Sequence, residues 1–258
     1  MMLDADQRLF QVNGRLLVAF LLLAFGNAVA DSAELTMPRL YPEGEYTVRK
    51  LQRGMPEIGA APGVTMQTVA DNMTNNGLPM QVHQFKSERP VEEVVELYKA
   101  RFEQLGMFAP QSDMNRGFAT LYGGLGPYFV RMQMASKDGE TAGYLTIMAQ
   151  PGTVETERDS AFPLPASVTV ESRMQFGDDG AAAETLIAHS DDFPGTVLDD
   201  LDRTLNAEGW NHANPDSGTT MRDGGAVRYT RGDGRAEIFV STARDAPYRS
   251  AVVVNWRK

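Results

Sequence analysis

Apolar residues recur at three- and four-residue steps in two stretches of this chain. Between Pro90 and Leu105, the residues Val91, Val94, Val95, Tyr98, Phe102 and Leu105 fall on one side of a helical period. That spacing predicts a helix with a single apolar stripe, which must lie on another layer. Pro90 sits in the first turn, where its missing N–H removes no bond, and Glu92 and Glu93 complement the positive end of the helix dipole. Gly106 then supplies the left-handed stop. A second helix is predicted from Pro194, with Val197, Leu198, Leu201 and Leu205 as its stripe and Gly209 as its stop.

Period-two alternation follows each helix. Tyr128, Val130, Met132 and Met134 alternate with Phe129, Arg131 and Gln133, and the stretch from Gly143 to Ala149 follows across a Lys137-Asp138-Gly139 turn. After the second helix, Ala226 to Thr230, Ala236 to Thr242 and Ser250 to Trp256 read as strands, with Gly232-Asp233-Gly234 as a tight turn. Arg231-Gly232-Asp233 spells an adhesion tripeptide but belongs to that turn.

Sliding the chain against itself by about 103 residues sets Ser87 on Ser190, Val94 on Val197, Phe102 on Leu205 and Gly106 on Gly209. The expectation is an α+β fold of two tandem repeats, over residues 60–152 and 163–258. Each has one main helix packed on an antiparallel β-sheet, with three strands after the helix. Two such sheets joined edge to edge would hide one open edge on each. Residues 31–59 read as an extended N-terminal arm and 153–162 as a linker containing Glu155, Glu157 and Asp159.

The first 30 residues are excluded from the fold. Arg8 and Arg15 precede an uncharged run from Leu16 to Phe25, and Ala28-Val29-Ala30 places small residues before Asp31, the pattern of a secretory signal peptide. This predicts a periplasmic or secreted protein of bacterial type, with no membrane span once the signal is cleaved.

Composition narrows the function further. Hydrophobic residues make up 42% of the 258 positions, enough to build a core. A net charge of −10 argues against a nucleic-acid partner, which needs basic groups to replace phosphate counterions. With no cysteine, disulfides, thiolate metal sites and a cysteine nucleophile are excluded. The acidic excess is greater in the second repeat and reads as a solvated surface.

Candidate chemistry is sparse. His83, His189 and His212 do not match between the repeats, and no zinc-type spacing occurs. Ser87 and Ser190 do match, but each lies just before a helix, outside a nucleophile elbow, so a turn role is expected. Gly123-Gly124-Leu125-Gly126-Pro127 lacks a phosphate-loop lysine and precedes a strand. The aspartate pairs lack the alternation of a calcium loop. No catalytic residue, cofactor or metal ligand is assigned. Methionines concentrate in the first repeat, where Met132 and Met134 share a strand face, so copper(I) is one alternative and an adaptable protein-binding face another.

These features predict a non-enzymatic interaction module, an accessory part of a bacterial envelope or secretion assembly with a protein partner there. Its candidate surface is Tyr98, Phe102, Tyr128, Met132, Met134, Tyr144 and Met148. The alternatives are a small-molecule or copper binder, the ligand lying between helix and sheet near Tyr98, Phe102, Tyr128 and Tyr144, and a hydrolase using His83.

Overall fold

The computed structural model describes residues 46–257, apart from 116–117, 138, 152, 154–159, 179–180, 214–223 and 244–246. The signal segment at 1–30, the first part of the arm and most of the linker therefore lie outside the described residues. Within the described part of the arm, helix α1 (Val48–Arg53) is capped by Thr47, whose Oγ1 accepts from the Lys50 N–H, and Leu51 is buried.

Twelve strands follow: β1 (Val64–Asn75), β2 (Leu78–Ser87), then helix α2 (Val91–Gln104), β3 (Phe108–Asn115), β4 (Phe118–Leu125), β5 (Tyr128–Lys137) and β6 (Glu140–Ala149). Next come β7 (Thr169–Asp178), β8 (Ala181–Ser190), helix α3 (Pro194–Ala207), β9 (Asn211–His212), β10 (Gly224–Arg231), β11 (Gly234–Thr242) and β12 (Ser250–Arg257). All belong to one sheet in the order β3-β4-β5-β6-β2-β1-β7-β8-β12-β11-β10-β9, with every neighbouring pair antiparallel.

This topology corrects the expected α+β fold of two tandem helix-on-sheet repeats. The described residues form a single twelve-stranded antiparallel sheet, to which three helices are a minor addition. The joining strands carry weak signals. The central seam pairs Met73 with Phe176, Thr74 with Gln175 and Asn75 with Met174, where Thr74, Asn75, Asn76 and Gln175 replace the expected apolar alternation. Four strands rather than three follow each helix, because β3 is polar and interrupted at Pro110, and β9 is two residues long.

The seam is bonded through side chains as well as backbone. Asn76 N–H donates to Arg173 O, and Arg173 N–H returns a bond to Asn76 Oδ1, both at 2.8 Å. Asn72 Nδ2 donates to Gly177 O, Ser172 Oγ to Asn75 Oδ1, and Thr74 Oγ1 to Gln175 Oε1. Asn76 turns the β1–β2 hairpin with φ 51° ahead of Gly77 at φ 79°, the left-handed pair that a two-residue turn requires. Bulges in β1 around residue 69 and in β7 at residue 171 bend the strands on either side of the seam.

Both long helices lie on one face of the sheet. Val91, Val94, Val95, Tyr98 and Phe102 of α2 pack with Phe85, Leu121, Val130, Met132 and Leu145; Val197, Leu198, Leu201 and Leu205 of α3 pack with Leu186, Ile238, Val252 and Val254. The row Thr74–Gln175–Glu184–Trp256 crosses the seam on this same side. Each helix ends alike: Met107 N–H reaches Phe102 O and Trp210 N–H reaches Leu205 O, both at 2.9 Å, with Gly106 and Gly209 left-handed. Each also begins alike. Ser87 Oγ accepts from Arg89 N–H and Ser190 Oγ from Asp192 N–H, while Thr141 and Ser250 hold the carbonyls of Arg89 and Asp192. The matching serines are thus bound into the turns that launch the helices.

Candidate functional site

Because side chains alternate across a strand, the residues between the core positions form the second face of the sheet. Among the described residues no helix packs on that face. Its composition can be read row by row from the strand register, and four rows cross the wing that runs from β3 to β1, of which the one nearest the helix starts joins Phe118, Ala135, Ala142, Lys86 and Thr65.

The first of the other three joins Asp113, Thr120, Gln133, Tyr144, Gln84 and Gln67, from β3 to β1. The next joins Gln111, Tyr122, Arg131, Thr146, Val82 and Ala70. The third joins Phe129, Met148, Met80 and Met73 and continues through the seam to Phe176. Met73 and Met80 are buried at the centre of this third row, and Phe129, Met148 and Phe176 are half-buried. Asn75 Nδ2 donates to Met148 Sδ at 3.8 Å, a weak bond to a thioether.

The opposite wing presents different chemistry. Ser172, Ile187, Val253, Phe239 and Ala226 form an apolar row, in which Ile187, Val253 and Phe239 are half-buried. A neighbouring row carries Thr185, Asn255, Glu237 and Arg228, with Arg228 Nε 2.5 Å from Glu237 Oε1.

Two histidines join tyrosine–carboxylate clusters. His189 Nδ1 lies 3.1 Å from Glu171 Oε1 in a geometry too bent for a hydrogen bond. The Tyr248 ring stacks on His189 at 3.9 Å, and its hydroxyl donates to the same carboxylate at 2.7 Å, which raises the phenol's pKa. At the far edge His212 Nε2 and Tyr229 OH both meet Asp202 Oδ1, at 2.7 and 3.1 Å. Burial and then the Asp202 charge push the Tyr229 phenol well above its ordinary pKa. His83 lies beside Thr68 Oγ1 at 3.1 Å, and burial lowers its pKa against the opposing pull of Asp71.

The structure separates the seven residues singled out as a surface. Tyr98, Phe102, Tyr128, Met132 and Met134 are buried between α2 and the sheet. There the Tyr98 ring packs 6.2 Å from Phe85 and 5.9 Å from Phe102, its hydroxyl accepts from Ala61 N–H, and Tyr128 OH donates to Leu51 O. Tyr144 and Met148 stand on the opposite, helix-free face. The proposed ligand position near Tyr98, Phe102, Tyr128 and Tyr144 is therefore divided by the sheet itself. Met132 and Met134 point into the core, opposite Leu145 and Gly143.

Gln84, Gln133 and Phe239 were missed because an isolated amide or aromatic in a strand carries no spacing signal. The signal available was the alternate set of each strand, the residues between those read as core. No family model matches this chain, and neither a curated protein nor a solved structure shows significant similarity to it.

Proposed function

We propose that the chain is a non-enzymatic interaction module of a bacterial cell envelope, which engages a protein partner through the helix-free face of its sheet. One observation carries this reading: the half-buried apolar row Ile187–Val253–Phe239, which crosses three adjacent strands of that face. A partly exposed apolar row of this kind marks an interaction site on a domain surface. Placement in the envelope rests on the sequence of residues 1–30.

The test is purification of C-terminally tagged chain from native envelopes after mild cross-linking, in parallel with a Phe239→Arg variant. A stoichiometric partner held by the parent chain and lost from the variant supports the reading. Equal recovery by both, or recovery of the parent chain alone, overturns it.

A further inference from the structure

The row Gln67–Gln84–Tyr144–Gln133–Thr120 lies on that same helix-free face but on the other wing, and its chemistry is not that of an apolar docking surface. Three primary amides flank one phenol and one hydroxyl, on five adjacent strands. Among the described residues the side chains of Gln84, Gln133 and Tyr144 make no hydrogen bond, although all three are half-buried. Each amide offers two donors and one carbonyl acceptor, and the phenol offers one of each. The corresponding positions across the seam, Ile187, Val253 and Phe239, are apolar, so sheet formation does not demand polar groups here.

We propose that this row binds a neutral β-linked glycan strand lying across the strands of the sheet. Neighbouring strands stand about 4.8 Å apart, so these groups repeat at intervals comparable with one sugar ring and cover about 19 Å in all. A saccharide hydroxyl both donates and accepts, which a primary amide answers in either sense. The Tyr144 ring at the middle of the row supplies an aromatic surface for the apolar face of a pyranose. Other polymers fit less well. An extended peptide repeats each side-chain face at about 6.8 Å, out of step with the strand spacing, and the row lies inside the sheet, where no backbone edge is free for strand addition. A nucleic acid meets a chain of net charge −10. An acyl chain would cover the amides without replacing their bonds to water. The proposal concerns the same face as the proposed partner site but stands on residues separate from the apolar row.

Isothermal titration calorimetry of the full chain with chitotetraose and with cellotetraose tests it. The expected result is saturable binding of at least one tetrasaccharide, weakened tenfold or more in Tyr144→Ala and in Gln133→Ala and unchanged in Phe239→Arg. Loss of a protein partner from Phe239→Arg with glycan binding intact would separate the two sites, and failure of either reading would leave the other standing. No saturable heat with either sugar overturns the glycan proposal, as does undiminished affinity in folded Tyr144→Ala and Gln133→Ala. Should those variants not fold, side-chain amide shifts in the parent chain decide. Tetrasaccharide-induced shifts at Gln84 and Gln133 support the proposal, and shifts elsewhere only, or none, overturn it.

Discussion

Arg173 donates through Nε to Glu184 Oε1 inside the sheet, while the backbone N–H and C=O of the same arginine are both bonded to Asn76 across the seam. The other Glu184 oxygen accepts from Trp256 Nε1 at 2.5 Å and from Ser160 Oγ. A buried ion pair is thereby fixed to the point where the two wings meet. Both side chains are nearly inaccessible, at 9% and 5%.

Removing one member of that pair leaves a buried charge without its counterion, at a cost of about 3–5 kcal/mol. We therefore expect Arg173→Met to lower stability by that amount in urea denaturation. The double variant Arg173→Met/Glu184→Met should recover a substantial part of the loss, because no isolated charge remains. Equal losses in the single and double variants would show that the charge pair is not the cause.

The division of the candidate surface into core and open face gives a second expectation. Met132→Ala empties a fully buried position under α2 and should cost about 2–5 kcal/mol. Tyr144→Ala removes a half-buried ring from the helix-free face and should cost far less, about 1 kcal/mol or under. Thermal melts of the two variants check the placement, and a reversed order would contradict it.

Legibility of the sequence followed the strength of its periodicity. The helices at 91–104 and 194–207, their glycine stops and the strands around Val130, Ile238 and Val252 could be read because one face of each is buried and the other wet. The seam could not, because its geometry comes from Asn72, Asn75, Asn76 and Arg173 bonding across about a hundred residues, which local alternation does not record. Asn76-Gly77 was the available clue to the β1–β2 hairpin. Alternation gave Tyr128, Met132 and Met134 a common face but could not say that this face meets a helix. Five core residues were consequently grouped with two that stand on the other side.

The two tryptophans should respond unequally to the same substitution. Trp210 is buried against Phe162 with its Nε1 unpartnered, whereas Trp256 donates to Glu184. Trp210→Phe removes an unsatisfied donor at some loss of packing, so a net change within about 1 kcal/mol is expected. Trp256→Phe withdraws a donor from a buried carboxylate and should cost about 1–3 kcal/mol. Chemical denaturation of both variants tests the contrast, and equal destabilisation would remove the distinction between the indoles.

His83 sets a pH-dependent term whose sign follows from its surroundings. Burial disfavours the imidazolium, and the nearby Asp71 offsets this only in part, so the folded-state pKa lies below the ordinary 6.5. Above pH 6.5 the imidazole is neutral in both folded and unfolded chains and contributes nothing. As the pH falls below 6.5 the unfolded chain takes up its proton first, so stability declines until the folded form is protonated as well. The His83→Gln variant lacks this contribution, while the carboxylates common to both proteins titrate in each. The melting temperature of the parent chain should therefore fall more than that of His83→Gln between pH 7.5 and 5.5. Parallel declines would mean that the imidazole is equally protonated in the folded and unfolded chains over that range.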